Sequence, residues 1–140
     1  MTAPWLPDEA PQVHPIAHNR DVVGIRQTIR GLAQQCRLSL VDQTKMITAA
    51  SELARNTLVY GGGGSVTAGI VTKDGRQGIA ALFKDEGPGI ADVAQAMTDG
   101  WTSGTGLGLG LSGARRLVDE FELVTEVGVG TTVTIIKWAR

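Results

Sequence analysis

Three short stretches hold residues whose types and spacing suit chemistry. The first is Glu52-Leu53-Ala54-Arg55-Asn56. Four residues of helix rise about 6 Å, a little over one turn, so Glu52 and Asn56 would share a face. An amide oxygen suits Mg²⁺, which keeps several waters and completes its shell from substrate phosphates. A carboxylate one turn away can accept a proton from an attacking hydroxyl or water. The same spacing also fits a solvated helix face on which Glu52 pairs with Arg55. The second stretch is Asp85-Glu86-Gly87-Pro88-Gly89-Ile90. A buried carboxylate at a strand end can accept from the exocyclic amine of adenine, with glycines letting a base approach the backbone. Asp, Gly and Pro are equally the residues of an ordinary turn. The third is Thr102-Ser103-Gly104-Thr105-Gly106-Leu107-Gly108-Leu109-Gly110-Leu111. A glycine loop feeding a helix N-terminus aims free N–H groups and a positive dipole end at one spot, which suits phosphate. Such a loop can also be a flexible surface segment.

The elements around these stretches follow from periodicity. Asp21–Arg37 reads as a helix with Val22, Ile25, Ile29 and Leu32 or Ala33 as its apolar stripe. Ser39 or Asp42 caps a second helix running to about Tyr60, with Ile47, Ala50, Leu53 and Leu58 as core. Gly61-Gly62-Gly63-Gly64 ends it, and Gly61 can serve as the left-handed cap. Ser65–Lys73 and Gln77–Asp85 read as strands joined around Asp74-Gly75, a strong hairpin signal. Ile79, Ala81 and Phe83 alternate with Ala80, Leu82 and Lys84, which predicts a central strand apolar on two faces. A short helix is expected from Ala91 to about Met97. Leu111, Ala114, Val118 and Phe121 fall at helical spacing after the glycines. Leu123–Val127 and Thr131–Lys137 form a last hairpin around Gly128-Val129-Gly130. Val13–Ala17 reads as a short strand that Pro15 confines to an edge. The expected architecture is a two-layer α/β sandwich, a mixed sheet covered on one face by helices.

Composition narrows the classes of function. The chain has 140 residues, 42% hydrophobic and 19% charged, with a net charge of −1. That describes one ordinary globular domain and gives no electrostatic footprint for nucleic acid. Residues 1–12, with Pro4, Pro7 and Pro11, read as a flexible arm, and 13–140 as the domain. Cys36 is the only cysteine, so no internal disulfide or cysteine zinc cluster is expected, and it reads as a small buried apolar residue. His14 and His18 have no metal-ligand partner at useful spacing. No run approaches the ~18 apolar residues of a membrane span, and the N-terminus lacks signal-peptide regions, so the expectation is cytoplasmic.

Taken together, the three stretches resemble the GHKL ATPase/kinase superfamily, whose ATP-binding fold is the Bergerat fold. Asn56 matches its N box, Asp85–Gly89 its D-x-G-x-G box, and Gly104–Gly110 its second glycine box. Gly130-Thr131 matches its last adenine-side motif. The resemblance covers about Val13 to Trp138. Within the superfamily the chain is most similar to small bacterial switch serine/threonine kinases of the anti-sigma-factor type, especially the RsbT-type kinases of stressosome pathways. Ser51–Asn56 and Gly108–Leu117 carry that closer match. The resemblance implies Asn56 as the Mg²⁺ holder and Glu52 as catalytic base. It implies Asp85 reading the adenine amine with Thr131 assisting, and Gly87 and Gly89 shaping the adenine pocket. Gly104, Thr105, Gly106, Leu107, Gly108 and Gly110 would line the phosphates of ATP. It also implies a STAS-domain protein as substrate and a PP2C-type phosphatase as a partner activated on release.

Between Met97 and Gly104 six residues remain. They span at most ~20 Å extended, too little for a separate cover over a nucleotide. A partly open nucleotide, reachable by a protein substrate, is therefore expected. Phosphoryl transfer is mostly positioning and charge neutralisation, so a metal ligand, a base and a backbone cradle suffice for a kinase. A histidine kinase's catalytic part is the rival enzyme reading, but the chain has no room for a long helical dimerisation module. A nucleotide-gated binding regulator with little catalysis is the rival outside enzymes.

Overall fold

A computed structural model describes residues 11–98 and 110–140. The elements run β1 (Gln12–Ile16), α1 (Asn19–Gln35), α2 (Leu40–Val59), β2 (Gly64–Lys73), β3 (Arg76–Asp85), α3 (Val93–Ala96), α4 (Gly110–Leu117), β4 (Glu120–Glu126) and β5 (Gly130–Trp138). The five strands form one sheet in the order β1-β2-β3-β5-β4. Every pairing is antiparallel. The expected mixed sheet is thus corrected to an antiparallel one, while the two-layer α/β sandwich stands.

Turn chemistry explains the directions. Asp74 and Gly75 have φ of 54° and 76°, the paired positive values of a two-residue hairpin turn whose twist matches its strands. The turn pairs Lys73 with Arg76, and the ladder runs on to Gly64 opposite Asp85. Burial explains the order. β3 and β5 are apolar on successive residues (Ile79, Ala80 and Ala81; Ile135 and Ile136, all buried), so they take inner positions. In β4, Glu122 and Glu126 are exposed while Phe121 and Leu123 are half-buried. That alternation suits an edge, where charge also discourages further pairing. β1 carries Pro15 on the other edge, opposite Ser65.

Helices α1 and α2 cover one face. Val22, Ile25, Ile29, Leu32 and Ala33 are all buried in α1, as periodicity predicts. They meet Met46, Leu53, Ile79, Phe83 and Ile135 in the main core. Each fully buried Ile or Phe contributes about 1.5–3 kcal/mol relative to exposure. Ser39 caps α2, its hydroxyl accepting from the Asp42 N–H. The buried stripe of α2 is turned from the expected one: Met46, Ala49, Ala50, Leu53 and Ala54 are inside, with Ile47 and Leu58 partly buried. Many of these positions are alanine, which weakens the periodic signal. Phe121 lies in β4 rather than on the helix after the glycines, because α4 ends at Leu117. Cys36 is buried, its thiol facing the Gly78 carbonyl.

At the far end of the sheet a charged cluster closes the fold. Lys137 Nζ sits 3.5 Å from Asp42 and 3.4 Å from Asp119, and Arg140 reaches Asp119 at 2.6 Å. Asp119 also accepts the Trp138 N–H at 2.7 Å. Burial raises the Asp119 pKa, but this hydrogen bond with Lys137 and Arg140 outweighs it, and the net shift is downward.

Candidate nucleotide pocket

The central part of α2 brings Glu52 and Asn56 to one wall of a cavity of about 720 Å³, counted to its open mouth. The opposite wall is the end of the sheet, where Asp85 closes β3 and pairs in register with Thr131 of β5. Between the walls lie Leu53, Phe83, Ile90, Leu111 and Val133, an apolar floor suited to a flat ring. These floor residues were not anticipated, since each reads in sequence as ordinary core.

Glu52 is buried, and its Oε2 accepts the Gly110 N–H at 3.3 Å. Arg55 is exposed, and among the described residues no ion pair joins it to Glu52. The solvated-face alternative therefore falls. The other carboxylate oxygen, Oε1, has no hydrogen bond among the described residues. Gly110 opens α4 with φ of 71°, a left-handed value that favours glycine. The Asn56 carbonyl accepts the N–H groups of Tyr60 and Gly61. The Asn56 side-chain amide has no protein partner among the described residues and lines the cavity.

Among the described residues Asp85 is held on one oxygen. Its Oδ1 accepts the Gly87 N–H at 2.9 Å and the Thr131 N–H at 3.3 Å. Oδ2 has no hydrogen bond among the described residues. Asp85 is half-buried. Gly89 has φ of 76°, and a Cβ there would collide with the Glu126 backbone. The turn is tied to the β4–β5 hairpin by Gly128 N–H to the Pro88 carbonyl, 2.8 Å. It is also tied by Ile90 N–H to Thr125 Oγ1, 2.9 Å. Thr125 Oγ1 lies 2.8 Å from Thr131 Oγ1, a brace that no sequence pattern announced.

The structure thus brings together Glu52, Asn56, Asp85, Gly89, Gly110 and Thr131 around one cavity, with Gly87 holding Asp85. Gly104, Thr105, Gly106, Leu107 and Gly108 lie outside the described residues, as does most of the segment expected to leave the nucleotide open. The chain on either side of them is clipped together by Ser112 Oγ and the Thr98 carbonyl, 3.5 Å apart. Among the described residues no group of three His, Cys, Asp or Glu side chains could hold a metal. A cation here would need oxygen from the Asn56 amide, water and a ligand's phosphates, a donor set that fits Mg²⁺. No helix of the described residues is long and apolar enough to cross a membrane.

Comparison with known proteins gives four findings. Residues 41–139 match the family model described as histidine kinase-, DNA gyrase B-, and HSP90-like ATPase. The chain is 42% identical over 120 residues to serine/threonine-protein kinase RsbT of Bacillus subtilis, covering 86% of this chain and 90% of that one. It is 29% identical over 120 residues to an anti-sigma F factor of Geobacillus sp., 81% of each chain. A crystal structure of the RsbU and RsbW domains of a Mycobacterium tuberculosis protein superposes with a TM-score of 0.62 at 20% identity. That match covers 94% of this chain and 33% of the other, and it speaks for the fold alone.

Proposed function

This chain belongs to the family of histidine kinase-, DNA gyrase B- and HSP90-like ATPases, and on that premise we propose that it is an ATP-dependent protein serine/threonine kinase acting as a regulatory switch. The observation that carries the reading is the pocket itself: Glu52 and Asn56 share one helical wall opposite Asp85, with an apolar floor between. The extensive identity to a serine/threonine-protein kinase supports the same reaction.

The residues divide the work by position. Asp85 Oδ2, the oxygen left free by the Gly87 and Thr131 N–H groups, accepts the adenine amine. The ring lies on the apolar floor, with Thr131 at its edge. Mg²⁺, when bound through Asn56 and the phosphates, neutralises charge that develops on the transferring group. Glu52 Oε1 takes the proton of the attacking serine or threonine hydroxyl as its oxygen bonds to the γ-phosphorus and the bond to ADP breaks. Oε2 stays on the Gly110 N–H, which fixes the carboxylate's direction. Gly104 to Gly110 are assigned to the phosphates.

The proposed substrate is a STAS-domain antagonist or scaffold protein, and a PP2C-type phosphatase is the proposed partner that this chain activates once it is released. Incubation with labelled ATP, Mg²⁺ and candidate STAS-domain proteins, followed by mapping of the label, tests the reaction. Label on a serine or threonine is expected. A STAS protein that binds without ever being labelled would instead favour a nucleotide-gated binding regulator, the reading that the likeness to anti-sigma F factors supports.

A further inference from the structure

We infer that Gly61 is a specificity-determining position: its bare Cα keeps clear the space in which the Asp85 carboxylate meets a purine amine. The inference rests on Asp85 reading that amine and deepens it. A Cβ on Gly61 would overlap Asp85 Cβ, Cγ and Oδ2. Oδ2 is the oxygen without a hydrogen bond among the described residues, whereas Oδ1 is fixed by two N–H groups. Any methyl at 61 must therefore push the carboxylate off both donors or tilt Oδ2 away from the cavity.

The requirement is for space and not for backbone freedom. Gly61 does not have a positive φ; Gly62 and Gly63 do, at 75° and 106°. The expected left-handed cap thus lies one residue later than Gly61. Gly61 itself continues the end of α2, its N–H reaching the Asn56 carbonyl at 3.2 Å. Alanine is conformationally acceptable there, so Gly61→Ala isolates the contact with Asp85. The same residue underlies the turn, because a Cβ on Gly87 would meet the Gly61 Cα and carbonyl. The end of α2 that carries Asn56 therefore also sets the pose of the carboxylate across the pocket.

The test is equilibrium binding of ATP and of purine riboside triphosphate, which lacks the exocyclic amine. Wild type should prefer ATP by roughly tenfold to hundredfold, the worth of one hydrogen bond to a charged group. Gly61→Ala should reduce that ratio to about threefold or less, while purine riboside triphosphate binds within about threefold of wild type, well under the tenfold that one lost interaction gives. A wild type without preference would remove Asp85 as reader, and this inference with it. Preference intact in Gly61→Ala would leave Asp85 standing and overturn the role of Gly61 alone. Equal loss of both ligands would make Gly61 a simple pocket wall and also overturn it. If Gly61→Ala does not fold, the pair Asp85→Gly and Gly61→Ala/Asp85→Gly decides. Removing the colliding side chain should restore folding, so the double variant should melt with the single Asp85→Gly. A double variant that stays unfolded would refute the contact.

Discussion

Replacing Glu52 by Gln separates catalysis from architecture. The residue is 8% exposed, and among the described residues Oε2 accepts one hydrogen bond, from the Gly110 N–H at 3.3 Å. Gln keeps the volume, the helix propensity and an oxygen that can take the same bond. What changes is charge. Hydrogen bonds to ionised groups contribute about 1.5–3 kcal/mol and neutral ones about 0.5–1.5, and a 3.3 Å contact belongs at the weak end. The stability cost is therefore on the order of 1 kcal/mol, a fall of roughly 3 °C in Tm for a domain of this size. ATP affinity should hardly move, since the carboxylate acts on the attacking hydroxyl. Turnover should fall ~10²–10⁴-fold, the usual worth of general-base catalysis, without a rise in the substrate dissociation constant. Glu52→Ala should lose turnover similarly but cost more stability, because it leaves the buried Gly110 N–H without its acceptor, about 1–3 kcal/mol. Single-turnover transfer, calorimetric ATP binding and thermal melting read the three quantities. Unchanged transfer in Glu52→Gln would remove Glu52 from the mechanism. A tenfold loss of ATP affinity would mean that the carboxylate serves the nucleotide instead.

Asn56→Ala should weaken Mg²⁺-dependent ATP binding and abolish transfer while the circular-dichroism spectrum is kept; unchanged Mg²⁺·ATP affinity and unchanged turnover in this variant would exclude the amide as a metal ligand. Asp119 gives a pH signature. Its folded pKa lies below the ordinary aspartate value, so its stabilisation is present above the unfolded pKa and is lost as pH falls through the lower folded value. Asp119→Asn should therefore be less stable than wild type at neutral pH, by about 1 kcal/mol, and the gap should close in acid; denaturation at neutral and strongly acidic pH measures it, and a gap that widens in acid would contradict the assignment.

Sequence alone settled the local matters. Glycine signals and apolar period placed both hairpins, the α1 stripe and the central β3, because turn stereochemistry and burial on one or two faces are written in adjacent residues. Spacing placed Glu52 and Asn56 on one face, since helix geometry is fixed. Where alternation was diluted by alanine, as in α2, the register of the buried stripe was not legible. The last helix was overextended to Phe121 because an apolar residue at helical spacing can also open a strand. Strand direction was decided only by the assembled sheet, in which β5 enters between β3 and β4. So were the contacts that give the pocket its chemistry: Glu52 on the Gly110 N–H, the Thr125 brace, and Gly61 against Asp85. Each joins residues far apart in the chain, and no local pattern encodes which distant backbone group will occupy the space beside a side chain. Gly61 makes the point most plainly, for its sequence context signals a helix cap and only packing against Asp85 reveals why a side chain is excluded there.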